Sequence, residues 1–267
     1  MYIDAHSHWS DSRLFENNQP TADWNKLMQA SLKAGVTQFM LGGVNPAEWE
    51  RQKYLKNRFP EKFYLSFGVH PYFVAENDLQ TCEEAVDLLS QSLSDCLAIG
   101  EAGLDFRTHL LGTDPEVSRA QQIQIFDNQI EMSLFSKKPL VLHVVRAHEE
   151  ALRLLRFQDS GLSGLVHAFN GSWEIAQDYL NLGFHISVGG AVTLIKNEKL
   201  RKAVKEIPED RLLLESDMPD QPPQGIDFPN NSSSLVQIAQ EIGQIRGCSA
   251  DEILMTSTNN FKRLFRL

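Results

Sequence analysis

Short apolar runs rich in β-branched residues recur along the chain, and between them the apolar positions step by three and four. Eight runs have strand character: Tyr2 to His8, Val36 to Val44, Phe63 to His70, Leu97 to Leu104, Leu140 to Val145, Gly164 to Phe169, Phe184 to Gly189 and Arg211 to Ser216. Helical stepping is plain in Ile123, Phe126, Ile130 and Leu134, in Leu200, Val204 and Ile207, and in Leu235, Ile238, Ile242 and Ile245. Strands alternating with helices predict βα units on a parallel sheet, and eight such units predict an α/β protein of the (β/α)8 TIM-barrel class. A final helix from about Ser249 to Leu264 is an extra C-terminal element. No linker, charge block or low-complexity stretch divides the chain, so residues 1–267 are expected to form one domain. The connection of most unusual composition is Met218 to Ser234, rich in Pro, Gly, Asn and Ser, directly after the eighth strand. Loops of that length in compact domains are often functional.

Composition narrows the class. Hydrophobic residues at 42% and charged residues at 22% describe a globular protein, and no apolar run is long enough to span a bilayer. Asp4 and His6 interrupt the N-terminal apolar run almost at once, so no secretory signal is read and a cytoplasmic protein is expected. Cys82, Cys96 and Cys248 are odd in number, far apart and without CxxC spacing, which argues for reduced thiols rather than disulfides or a thiolate zinc site. A net charge of -10 argues against an extended basic surface for nucleic acid. It leaves room for an enzyme that holds a few phosphates through cations, because divalent ions reverse the sign of an acidic cleft.

In such a barrel the active site lies at the C-terminal ends of the strands. Those ends carry His6 and His8, then His70, then Glu101 with Asp105, then His143, His167, and finally Glu215 and Asp217. Five of the eight histidines fall there, while His109, His148 and His185 do not and read as surface or structural residues. His6 and His8 are two apart, a spacing that places both imidazoles on one face of a strand. Four imidazoles and two carboxylates exceed the ligands of a single catalytic zinc, so two ions fit better than one, with Glu101 the natural bridge. No lysine occupies a strand end, which leaves no carbamylated-lysine bridge.

The pieces Asp4-Ala5-His6-Ser7-His8, Gly68-Val69-His70-Pro71, Gly100-Glu101-Ala102-Gly103-Leu104-Asp105, Leu142-His143, Val166-His167-Ala168-Phe169-Asn170-Gly171-Ser172 and Leu214-Glu215-Ser216-Asp217-Met218-Pro219, in this order, resemble the TatD family of metal-dependent hydrolases. The resemblance covers essentially the whole chain. It implies a deoxyribonuclease or phosphodiesterase using two divalent cations of zinc, manganese or magnesium type. His6, His8, Glu101 and Asp217 would hold one ion, and Glu101, His143 and His167 the other. His70 matches the position expected to contact substrate phosphate, and its place beside the metal residues makes the same case through a donor reaching a phosphate oxygen. Two departures stand out. The family's small residue and arginine after the strand-five histidine become Val144-Val145-Arg146, and its Asn-x-Pro after strand eight becomes Pro229-Asn230-Asn231-Ser232. Arg146 is then a substrate-binding candidate whose direction depends on strand alternation.

The expected reaction is phosphodiester hydrolysis by a water activated at the two ions. Asp217 and Glu101 are the expected catalytic carboxylates, with Asp217 placed both to bind metal and to accept a proton. Asp4 and Glu215, and Asp105 after them, are expected to orient ligands. The expected partner is DNA or another phosphodiester, bound transiently by a monomer with no membrane attachment. Hydrolysis of a small cyclic amide, lactone or other ester is the alternative, because fold and metals do not fix the substrate.

Overall fold

The computed structural model describes residues 1–17, 19–158 and 161–267. Eight strands lie in chain order around one sheet: β1 Tyr2–Ser7, β2 Val36–Leu41, β3 Phe63–Phe67, β4 Ala98–Asp105, β5 Leu140–Val145, β6 Gly164–Val166, β7 Phe184–Val188 and β8 Leu212–Leu214. Every neighbouring pair is parallel. The helices that return the chain are α1 Ala22–Lys33, α2 Pro46–Arg58, α3 Pro71–Glu76, α4 Leu79–Gln91, α5 Pro115–Ser136, α6 His148–Phe157, α7 Trp173–Asn181, α8 Glu198–Glu206 and α9 Leu235–Arg246, with α10 Ala250–Phe265 added at the end. This is the (β/α)8 barrel that the hydrophobic pattern predicts. Six of these ten helix N-termini carry a side-chain cap, among them Asn45 before Pro46, Asp114 before Pro115, and a capping box of Ser249 with Glu252.

Most strands stop short of the apolar runs that announce them. β1 ends at Ser7, β3 at Phe67, β6 at Val166 and β8 at Leu214, leaving His8, His70, His167 and Asp217 beyond the ladder. There the chain turns across the barrel mouth, and Ala168 and Asp217 take φ of +44° and +54°. Residues in such turns cannot continue strand pairing.

Inside the barrel, Ile3, Ala5, Met40, Ala98, Val141, Leu165 and Leu213 meet Phe261 and Phe265 of α10 in one apolar cluster. Residues from six strands around the sheet touch only by pointing inward, so this layer fixes which alternate positions face the axis. On β5 and β6 the alternation continues simply: Val141 is followed by His143, and Leu165 by His167. On β1 and β4 it does not. The β1–β2 register passes from Asp4 opposite Phe39 to Ser7 opposite Leu41, and the β4–β5 register from Ile99 opposite Leu140 to Ala102 opposite Leu142. Each is three residues against two, a bulge that switches the facing set. His6 and Glu101 reach the interior through these bulges rather than through the parity of Ile3 and Ala98.

β1 and β8 share no ladder, and the seam between them is closed from both ends. Near the N-terminal mouth, Thr258 Oγ1 of α10 accepts from Ile3 N–H at 3.2 Å, and Ser257 Oγ accepts from Leu214 N–H at 2.8 Å. Asn260 Nδ2 donates to Leu212 C=O at 2.9 Å. Near the other mouth, Asp217 N–H donates to His6 C=O at 3.1 Å and His8 N–H to Met218 C=O at 2.7 Å. The buried Asp4 carboxylate accepts from Ser216 N–H at 2.9 Å and Ser216 Oγ at 2.5 Å. The extra helix thus supplies hydrogen bonds that two strand edges would otherwise lack.

Candidate metal centre

The C-terminal mouth opens into a cleft of about 870 Å³ whose floor includes Glu101, His143, His167 and Asp217. At one corner His6 Nε2 and His8 Nε2 lie 3.3 Å apart. Glu101 Oε1 is 3.4 Å from the first and 3.2 Å from the second, and Asp217 Oδ1 is 3.7 and 3.4 Å from them. Donor atoms around a tetrahedral ion with bonds of about 2.0–2.1 Å stand about 3.3–3.4 Å apart. His6, His8 and Asp217 thus offer three donor atoms that converge as the ligands of one ion would, and Glu101 Oε1 stands at ligand spacing from both imidazoles. At the other corner His143 Nδ1 and His167 Nε2 are 3.0 Å apart, and Glu101 Oε2 lies 3.5 and 3.0 Å from them. Its fourth side is taken by His70, whose Nε2 is 3.6 Å from the same oxygen.

Four buried polar atoms here have no hydrogen-bond partner: His6 Nδ1, His167 Nδ1, Glu101 Oε1 and Asp217 Oδ1. The two carboxylate oxygens are the ones aimed into the first corner. Unpaired carboxylate oxygens are costly in a buried site, and a cation removes that cost. Electrostatics point the same way. Burial pushes the Glu101 carboxyl up, but His6, His167, His8 and His70 outweigh it and hold it well below the usual range. Burial disfavours charge on His8, yet Glu101 and Asp217 lift it to about 10. The carboxylates draw protons onto their imidazoles, a demand for positive charge that a divalent ion would meet.

The outer contacts orient these side chains. Asp105 Oδ2 sits 3.1 Å from His143 Nε2 and is itself clamped by Arg107, whose Nε lies 2.9 and 3.0 Å from its two oxygens. His143 is thereby held with Nδ1 toward Glu101. Glu215 lies 3.4 Å from His167 Nδ1 and accepts from Ala168 N–H and Ser187 Oγ. Asp4 touches no imidazole ring and holds the seam at Ser216 instead. His70 caps α3, its Nδ1 accepting from Tyr72 N–H at 2.9 Å, so its Nε2 carries the proton and faces the cleft. Burial, with His143 adding to it, keeps His70 neutral by lowering its pKa well below the usual value.

Arg146 does not obey strand alternation. β5 ends at Val145, Arg146 takes φ +55°, and its side chain lines the cleft. His148, which reads from sequence as a surface or structural residue, also lines the cleft and pairs with Tyr179 Oη at 3.1 Å. Asn230 is structural: its Nδ2 donates to Ser216 C=O at 2.7 Å and pins the loop after β8. Sequence reasoning passes over Glu48, 4.0 Å from His8 Nδ1 and bonded by Ser10 Oγ at 2.9 Å. It also passes over Gln221, whose Nε2 donates to Asp217 Oδ2 at 2.5 Å. The first looks like an ordinary helix-start residue after Asn45-Pro46, and the second carries no local signal. Gly42 is a further hidden member. A Cβ there would lie 2.6 Å from His6 Cε1, 2.7 Å from His8 Cε1 and 2.8 Å from Glu101 Oε1.

A family profile described as TatD related DNase matches residues 3–266. An uncharacterized metal-dependent hydrolase of Escherichia coli K12, YjjV, is 28% identical over 100% of this chain and 98% of its own. The crystal structure of YjjV, a TatD homologue, has a TM-score of 0.87 at 27% identity, covering 100% of this chain and 98% of that one. The 3'-5' ssDNA/RNA exonuclease TatD of Erwinia tasmaniensis is 29% identical, over 94% of this chain and 96% of its own.

Proposed function

The chain belongs to the TatD related DNase family of metal-dependent hydrolases, and on that premise we propose that it hydrolyses phosphodiester bonds of nucleic acid at a centre of two divalent ions. The observation that carries this reading is the placement of Glu101, which turns one carboxylate oxygen toward His6 and His8 and the other toward His143 and His167. One carboxylate between two sets of nitrogen donors is an arrangement that can bridge two ions at the spacing of a two-ion clamp on a phosphoryl group. His6, His8, Glu101 and Asp217 would hold one ion, and Glu101, His143 and His167 the other.

Bound ions would supply Lewis acidity toward a phosphate oxygen and would lower the pKa of a bound water toward about 7. The protein supplies the rest. His70 presents a neutral Nε2–H donor beside the second corner, suited to a non-bridging phosphate oxygen. Arg146, exposed on the cleft wall, offers a guanidinium to a neighbouring phosphate. Asp217 turns Oδ1 inward while Gln221 holds Oδ2, which suits it to orient the attacking water and take its proton. Burial raises the Asp217 carboxyl, but the imidazoles of His8, His167 and His6 outweigh it and hold it below the usual range. Asp105 and Glu215 keep the second-corner imidazoles aimed during the reaction.

Turnover of single-stranded DNA, bis(p-nitrophenyl) phosphate, a lactone and a cyclic amide, measured side by side with zinc, manganese or magnesium, tests the reading. Cleavage of the phosphodiesters is the expected outcome. Turnover of the carbon-centred substrates alone would contradict it.

A further inference from the structure

Beside the cleft lies a second cavity of about 490 Å³, between the first turns of α7 and α8, lined by Trp173, Lys196, Asn197, Lys199 and Lys202 among others. Only a thin wall separates it from the metal centre's cleft. Asn170 lines the cleft, and its Oδ1 accepts from Asn197 Nδ2 at 2.8 Å. Lys199 acts across the same wall on His148 of the cleft, whose pKa is lowered to about 4 by burial and then by this lysine.

The charge here runs against the rest of the molecule. In a chain of net charge -10, the seven residues from Lys196 to Lys202 hold four cations and one acid. Arg201 is occupied by Glu241, whereas Lys196, Lys199 and Lys202 form no ion pair among the described residues. Glu174 and Glu198 also line the cavity, and its three lysines leave it positive. Its aromatic residue is equally distinctive. Of the four tryptophans, Trp9, Trp24 and Trp49 are at most 2% exposed, while Trp173 is half-buried and forms part of the cavity wall. Unpaired ammonium groups beside a half-buried aromatic ring, one wall away from a hydrolytic cleft, are what a single strand running over that wall engages: phosphates on the cations and a base on the ring.

We propose that the α7–α8 cavity is a second binding subsite, taking the phosphates and a base of a single-stranded polynucleotide that flank the bond at the Glu101 centre. The assignment rests on the nuclease reading above and adds that the enzyme prefers a strand longer than the two nucleotides joined at that bond.

Trp173 supplies a readout independent of turnover. In the metal-loaded enzyme, a phosphorothioate single-stranded DNA dodecamer should quench tryptophan fluorescence, and Trp173→Phe should abolish the quench. The triple variant Lys196→Gln/Lys199→Gln/Lys202→Gln should weaken dodecamer binding about tenfold or more and lower the magnitude of its salt-dependence slope by about 2. Its activity on bis(p-nitrophenyl) phosphate should match wild type. A triple variant that binds and cleaves the dodecamer like wild type, with the salt slope unchanged, would overturn the subsite and leave the nuclease reading standing. A wild-type enzyme that cleaves the small diester but no DNA strand would remove both.

Discussion

The corner built from His6, His8 and Asp217 and the corner built from His143 and His167 share Glu101 but are held in opposite ways. The second corner follows strand alternation, since His143 and His167 each lie two residues past an inward apolar residue. Two buried carboxylates, Asp105 and Glu215, then fix the rings from behind. The first corner departs from alternation. His6 depends on the β1 bulge, Asp217 on a left-handed turn, and both are tied together by backbone hydrogen bonds across the seam. The second corner is positioned chiefly by side chains and the first chiefly by the main chain, with Gln221 holding only the outer oxygen of Asp217. The second should therefore yield to conservative changes behind its ligands, and the first to changes in backbone space.

Glu101→Gln should produce the largest effect, because it removes the feature the corners have in common. Metal content should fall at both, and kcat/KM on a phosphodiester should drop about a thousandfold or more, read by elemental analysis and steady-state kinetics. Next comes Gly42→Ala. Its added Cβ would press on His6, His8 and Glu101 Oε1, so it should empty the first corner and cost about a hundredfold in activity while one ion per chain remains. Loss of both ions in equal measure would break the distinction between the corners.

Asp105→Asn tests the opposite side. It removes the carboxylate behind His143 while keeping the shape, and should weaken the second ion by about 10- to 100-fold with the first retained. Chelation should follow the same order in calorimetric titration, the second corner releasing first because three ligands hold it against four. Complete removal should lower Tm, with up to about 4 kcal/mol of stability lost for each ion present at a thousandfold over its Kd. Gln221→Ala, which frees only the outer oxygen of Asp217, should have the smallest effect, a few-fold in kcat/KM.

The contrast also explains what the sequence exposes. Eight strands, their order and the C-terminal helix follow from apolar periodicity, which is local and repeated. His6 and His8 announce themselves by spacing, and His143, His167 and Asp217 by falling where apolar strands end. The bulges are silent, because one extra residue in a strand leaves no mark in a hydrophobic pattern; simple alternation from Ile3 and Ala5 would turn His6 outward. Arg146 is silent for a similar reason, its direction being set by a backbone turn after Val145. Glu48 and Gln221 act through contacts made only when distant segments meet. α10 reads as an appendage in sequence, yet Ser257, Thr258 and Asn260 make it the seal of the barrel seam.

The central claim is that Glu101 joins two ions held by different sets of ligands, and anomalous scattering from crystals grown with zinc or manganese tests it most directly. Two peaks about 3.5–4 Å apart are predicted. One should lie among His6, His8 and Asp217, the other between His143 and His167, with a Glu101 oxygen on each. A single peak, or two peaks that do not share Glu101, would contradict the account.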